Sequence, residues 1–196
     1  MEKSKLTKQM RWEIAERLAE ERLNQVNMLC TKVVPRDGIY TRYVKRLLDI
    51  VISIIALVIT LPINLLIGIG TYFDVGSPIF FKQERVGKNG KIFSIIKFRN
   101  MRNTVDEQGE LLPPMYRVTK FGHFVRKTSL DELMNFWNIL KGDMSFIGPR
   151  PLVPEYLERY NIRHKQRLSV RPGLECPPRE LTDHVWTWQE QFENDI

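Results

Sequence analysis

The chain is poor in the residues that build disulfide frameworks and metal centres. It has two cysteines in 196 residues, Cys30 and Cys176, and no Cys-x-x-Cys pair. A disulfide-stapled scaffold is therefore not expected, and a reducing compartment is the default. The three histidines, His123, His164 and His184, are too scattered to read as a metal motif. No internal repeat and no low-complexity run is present, which sets aside solenoids and compositionally disordered chains. No cleavable signal peptide is expected, because the first residues are charged and the apolar block begins too deep in the chain. Nor does any recognised nucleic-acid motif accompany the basic charge of +7, from 30 Lys+Arg against 23 Asp+Glu. A basic, membrane-tethered nucleic-acid binder thus has little behind it. The same charge suits anionic lipid or phosphorylated substrates equally well.

Charge is also missing locally. From Ile50 to Phe73 there is no charged residue across 24 positions, which meets the length of a membrane segment. Pro62 sits in its middle, where a missing donor and a ring clash should break or kink a helix. Basic residues flank both ends: Arg42, Lys45 and Arg46 before, Lys82, Arg85, Lys88 and Lys91 after. Positive residues mark one membrane face, so this pattern fits a helix that enters, breaks at Pro62 and returns to the same side better than a simple span. Each arm of roughly 11–12 residues would reach about 17 Å, short of the ~30 Å hydrocarbon core. A kinked span remains the second reading.

Around this block the chain reads as one α/β domain, helix-rich with a β-hairpin. Residues 1–40 form an N-terminal extension and linker. Leu6, Met10, Ile14 and Leu18 recur at helical spacing over 1–30, and Pro35, Asp37 and Gly38 close it. That helix either packs on a protein surface or lies on a membrane. Residues 41–76 are expected to be the membrane-associated part, and 77–196 a separate polar domain outside the membrane. A hairpin is expected over 79–99, with Asn89-Gly90 at its turn. A polar loop follows over 103–114. Helices are expected from Ser129 to Gly142 and over 155–168, with Arg171-Pro172-Gly173 as the stop. The tail from 174, with Trp186 and Trp188, carries no clear pattern.

Chemistry concentrates at Ser129-Leu130-Asp131-Glu132-Leu133. As plain structure this is a capping box, with Ser129 as the cap and Glu132 returning the bond. As a site, the same helix start would offer N–H groups and positive potential to a phosphate, and would favour an ionised Asp131. Such a carboxylate can attack phosphorus. Cations stand nearby in sequence: Lys97 and Arg99, Arg126, and Arg150 between two prolines, where a stiff backbone could aim its guanidinium at phosphate.

Together these segments resemble the monotopic phosphoglycosyl transferases, or bacterial sugar transferases. The likeness is carried by Lys45-Arg46-Leu47-Leu48-Asp49, Pro62, Gln83-Glu84-Arg85-Val86-Gly87, the Lys97–Met101 segment, Ser129–Leu133, the run Asn138–Pro151 and Arg171-Pro172-Gly173. It implies that Asp131 attacks the β-phosphate of a UDP-sugar, releases UMP, and passes the sugar phosphate to a polyprenol phosphate such as undecaprenyl phosphate. It further implies that Glu132 completes a dyad with Mg²⁺, that both acids serve the metal, and that Lys97, Arg126 and Arg150 surround the phosphates. Pro62 matches the break of a re-entrant helix in a bacterial inner membrane, with the catalytic domain on the cytoplasmic face. A homo-oligomer stays open. The likeness lapses over 174–183, where Arg179 and Asp183 stand in place of a glutamine and an arginine. That departure keeps one alternative alive, an impaired, membrane-bound scaffold of the same family.

Overall fold

The computed structural model describes Asn27, Thr31, residues 38–177, and Glu190, Phe192, Asn194 and Asp195. The expected helix over 1–30, the linker and most of the tail beyond 177 lie outside the described residues. A π-helical turn, Tyr40–Val44, leads into α1, Lys45–Val75. Then come strands β1, Phe80–Val86, and β2, Ile92–Phe98. The short α2, Pro114–Arg117, precedes α3, Lys120–Lys127, and α4, Asn135–Lys141. Strands β3, Ser145–Ile147, and β4, Gly173–Glu175, complete the order.

α1 is one helix of 31 residues, with Pro62 inside it. The expected separation into two arms at Pro62 is not seen. Proline removes one donor and can bend a helix without ending it. Side chains on either side of Pro62 bond within the helix: Thr60 Oγ1 donates to Ala56 O at 2.7 Å, and Asn64 Nδ2 to Thr60 Oγ1 at 3.2 Å. Its middle is apolar and open, with Leu61, Ile63, Leu65 and Leu66 all exposed.

Both ends of α1 join the rest of the protein. At the first, Arg46 donates to the carbonyls of Ile139 and Leu140, each at 2.7 Å. These carbonyls lie in the last turn of α4, where positive charge is favoured. Gly142, at φ 98°, closes that helix in the left-handed conformation. Buried Asp49 accepts from Ser145 Oγ at 3.0 Å and Phe146 N at 3.2 Å, and Lys45 also donates to Ser145. At the second end, Asp74 accepts from Thr119 Oγ1 and Arg102, and Arg99 donates to the carbonyl of Val75. Ile67 is buried there with Phe98 and Val125.

The hairpin forms as expected, antiparallel from Phe80↔Phe98 to Val86↔Ile92. Asn89 and Gly90 both have positive φ in its turn, a short 3₁₀ segment rather than a two-residue loop. Phe93 and Ile95 pack on Ile139 and Met144, and Asn138 Nδ2 ties α4 to Ser94 O at 2.7 Å. Two expected helices differ. Over 155–168 there are two 3₁₀ helices, Pro154–Arg159 and His164–Ser169. From Ser129 a 3₁₀ turn, Leu130–Glu132, precedes α4.

β3 and β4 form a parallel pair, Ser145↔Gly173 and Ile147↔Glu175. They approach so closely that a Cβ on Gly173 would stand 2.2 Å from Gly148 N, and one on Gly148 2.4 Å from Arg171 O. This explains two glycines of the motifs: Gly148 before Pro149-Arg150 and Gly173 after Arg171-Pro172 are where two backbones cross.

Candidate active site

One face of the hairpin forms the floor of the site. Phe81, Gln83 and Arg85 stand opposite Lys97, Ile95 and Phe93, and opposed residues in a pleated pair share a face. The Phe93 and Ile95 end is covered by α4, while Lys97 emerges beyond it. There Lys97 Nζ donates to Glu132 Oε1 at 2.5 Å.

The acids come from the 3₁₀ turn, which corrects the capping-box reading. Ser129 is left-handed at φ 56° and makes no capping bond. Its N–H donates to Arg126 O at 3.2 Å, and the Glu132 side chain goes to Lys97 instead. Asp131 therefore does not sit at an α-helix start. Its environment is set by side chains: it is 5% exposed, and Asn100 Nδ2 donates to its Oδ2 at 3.4 Å. Asn100 is itself held by backbone contact, since a Cβ on Gly122 would stand 2.2 Å from Asn100 O. Thr119 fixes that approach by capping α3, accepting from Gly122 N at 2.8 Å.

Burial pushes the Asp131 carboxyl above the usual carboxylate range, and Glu132 adds to this, while Lys97 and Arg126 oppose it. Burial also lowers the Arg85 guanidinium from its usual value, and Arg150 beside it lowers it further.

Two cavities meet at these residues. The larger, about 500 Å³, holds Asp131, Glu132, Lys97 and Arg126, together with Arg85, Arg99 and Arg117. Five basic side chains there face two acidic ones, a balance that suits a polyanion. The smaller, about 270 Å³, holds Arg150, Asn135 and Glu175. Arg85, Lys97, Ser129 and Glu132 line both. Asp131, Glu132, Lys97 and Arg126 are thus brought together as expected, and Arg150 lies on the other side of the Lys97–Glu132 pair. Pro62 is far along α1 in sequence and lines neither cavity.

Arg85, Arg117, Asn100 and Asn135 are among the lining residues that were missed as site members. Arg85 was legible, because it shares strand parity with Lys97 across the Asn89-Gly90 turn. Asn100 and Asn135 were not, since nothing in sequence marks a polar residue that folding will bury. Among the described residues no three His, Cys, Asp or Glu side chains gather into a metal cluster. Asp131 and Glu132 offer two carboxylates, a set that suits Mg²⁺ completed by substrate phosphate oxygens and water.

The sequence profile of the family described as bacterial sugar transferase matches residues 40–196. The chain is 41% identical over 152 residues to the uncharacterized sugar transferase EpsL of Bacillus subtilis, covering 78% of this chain and 75% of that protein. It is 37% identical over 173 residues to the undecaprenyl-phosphate galactose phosphotransferase of Salmonella typhimurium, covering 80% of this chain and 34% of that one. It is 38% identical over 148 residues to the UDP-glucose:undecaprenyl-phosphate glucose-1-phosphate transferase of Xanthomonas campestris, covering 72% and 30%. The chain thus spans most of the first relative and about a third of the other two. With a profile match across four-fifths of its length, the chain belongs to the bacterial sugar transferase family.

Proposed function

We propose that this protein is a polyprenol-phosphate phosphoglycosyl transferase. It moves a sugar 1-phosphate from a UDP-sugar to a membrane polyprenol phosphate such as undecaprenyl phosphate and releases UMP, as the first step of a surface-glycan pathway. The observation that carries this reading is the buried Asp131 in a cation-lined cavity, with Asn100 on one of its oxygens. The names of the Salmonella and Xanthomonas relatives support the substrate class.

In this reading Asp131 Oδ1 attacks the phosphorus that bears the sugar. The bridging P–O bond breaks, UMP leaves with the electron pair, and an acyl phosphate forms. A phosphate oxygen of the polyprenol phosphate then attacks the same phosphorus, and the Asp131 carboxylate leaves. Lys97, Arg126 and Arg85 offset charge on the phosphates, and Arg150 acts from the adjoining cavity. Mg²⁺, held by Asp131 and Glu132, would supply further charge neutralisation at the diphosphate.

Re-entrant anchoring in the bacterial inner membrane, with the site on the cytoplasmic face, belongs to the same proposal. It is supported by the two ends of α1, which join one protein body through Arg46 and Asp49 and through Ile67 and Asp74. The apolar middle between them is exposed. Such an anchor would keep the site at the interface, where the lipid phosphate lies and cytoplasmic UDP-sugars arrive.

The test is turnover by the purified chain in lipid nanodiscs that carry undecaprenyl phosphate, with Mg²⁺ and a panel of UDP-sugars, and intact mass of the same chain with the lipid phosphate left out. UMP should be released, and intact mass should reveal one added sugar phosphate on wild type and none on Asp131→Asn. Normal turnover by Asp131→Asn would refute the assignment.

A further inference from the structure

The side chain of Arg150 is exposed, so its aim depends on the backbone that carries it. Prolines on both sides take away two backbone donors, and the segment is held by its carbonyls instead. Four in a row accept. Pro149 O takes Gly173 N at 2.9 Å, Arg150 O takes Arg167 Nη2 at 3.0 Å, Pro151 O takes Arg85 Nη1 at 3.2 Å, and Leu152 O takes Val86 N at 2.9 Å. Three of these donors belong to β1 and β4. Arg167 does not. It comes from the 3₁₀ helix His164–Ser169 and lines neither of the two site cavities.

Arg167 is a charge placed inside the protein, only 3% exposed. Its Nη1 donates to Tyr160 Oη at 2.9 Å, and its Nη2 serves both Arg150 O and the buried carboxylate of Asp195. The Phe192 ring lies against the guanidinium, its centroid 4.8 Å from Cζ, and packs with Leu152 and Tyr160. A buried ion pair gives little net stability, because desolvation offsets the attraction, and apolar side chains fill such a space as well or better. What they cannot do is donate to Arg150 O. A lysine cannot replace the fork either. Its ammonium is a single point, whereas the guanidinium reaches Tyr160 with one prong and Arg150 O and Asp195 with the other.

Resting on the transferase reading above, in which Arg150 acts on phosphate, we infer that Arg167 is a positioning residue for that reaction. It fixes the Arg150 carbonyl, and Asp195 in turn fixes Arg167. The contacts run from Asp195 through Arg167 to the backbone of Arg150. Of these groups only the Arg150 guanidinium meets substrate.

Two changes separate positioning from packing. Arg167→Lys keeps a cation beside Asp195 and loses the fork. Arg167→Met combined with Asp195→Asn removes both charges together, so neither is left buried alone. Both proteins should melt within ~4 °C of wild type by differential scanning fluorimetry. Single-turnover release of UMP, in nanodiscs with Mg²⁺ and a UDP-sugar that wild type uses, keeps slow variants measurable. Both should be slower by on the order of ten- to a hundredfold. The same changes are then made in an Arg150→Ala background, which keeps the carbonyl and lacks the guanidinium. There nothing is left to misplace, and each change should alter the rate by less than about twofold. Equal slowing in both backgrounds would make Arg167 structural and overturn the inference. So would wild-type rates for both changes, wild-type rates for Arg150→Ala, or failure of both proteins to fold. A wild type that releases UMP from no UDP-sugar would instead overturn the transferase reading, and this role with it.

Discussion

The crossing of β3 and β4 admits a sharp test through Gly173→Ala. The added methyl would stand 2.2 Å from Gly148 N, 2.4 Å from Glu175 O and 2.6 Å from Gly148 O, all of them backbone atoms that cannot rotate away. The strands must separate. Beside the ladder itself, Ser145 N donates to Pro172 O at 2.9 Å, Gly148 N to Glu175 O at 3.1 Å, and Gly173 N to Pro149 O at 2.9 Å. Weakening two of these, at about 1 kcal/mol each, and overpacking at about 1–3 kcal/mol gives a loss of roughly 3–5 kcal/mol. For a chain of this size each kcal/mol moves the melting temperature by about 2–4 °C, so the fall should be at least ~6 °C. Activity should fall more steeply than stability. Gly173 N holds Pro149 O, and Arg150 follows directly, so separation of the strands moves its guanidinium. Displacement of a positioning group by ~1 Å costs on the order of a hundredfold in rate. Gly68→Ala is the control: its Cβ would meet Phe98 at 3.6 Å and Ile79 at 3.7 Å, ordinary contacts inside α1. Alanine there should hold or raise the melting temperature. Fluorimetry in detergent and a UMP-release assay read both. A Gly173→Ala protein that melts within ~2 °C of wild type, or a Gly68→Ala protein equally impaired, would refute the reasoning.

Burial favours neutral Asp131, so the folded protein keeps that proton to a higher pH than the unfolded chain does. The stability it contributes is present below the ordinary carboxylate range and lost as pH rises through the raised value. Asp131→Asn should therefore melt higher than wild type at neutral pH, with the gap closing under acid; a lower melting temperature at every pH would contradict this. Arg150→Lys keeps the charge and loses the planar fork, so turnover should fall strongly; wild-type kinetics from both Arg150→Lys and Arg150→Ala would make the side chain irrelevant to the reaction. Single cysteines at Tyr40 and Lys88, in a background without Cys30 and Cys176, should both react with an impermeant reagent from the cytoplasmic side alone. Labelling of the two from opposite sides would establish a span.

What could be read from the sequence depended on how local its cause was. The hairpin was legible because alternation and Asn89-Gly90 are short-range signals. The apolar block was legible because 24 uncharged positions leave few alternatives. The Ser129–Leu133 segment was located correctly but given the wrong shape. A serine three residues before a glutamate fits a capping box, yet Lys97, distant in sequence, claims the glutamate, and Ser129 turns left-handed. The pairing of β3 with β4 was not legible, because strands of three residues carry no periodicity. Their glycines instead stood out as motif letters without a stated cause. Asn100 and Asn135 became site residues only through burial, which depends on the contacts of the whole fold.

The segment from Lys97 to Arg102 shows how the long helix and the acids are bound into one unit. Its side chains hold two different parts of the protein. Lys97 bonds Glu132 and Asn100 bonds Asp131. Arg99 donates to the carbonyls of Val75 and Ser77, and Arg102 to Asp74, all at the end of α1. The carbonyls at the end of α1 lack intrahelical donors, and two guanidinium groups satisfy them where the helix end is negative. Any change in how α1 meets the body near Asp74 therefore reaches Asp131 and Glu132 through six residues of backbone. On the far side, Asp49 and Arg46 fix the start of the same helix to β3 and α4, and α4 follows the acids directly in sequence. The position of the acids relative to α1 is thus set from both ends of that helix. That is the arrangement required if the apolar middle of α1 rests in lipid while the carboxylates wait at a fixed height above it.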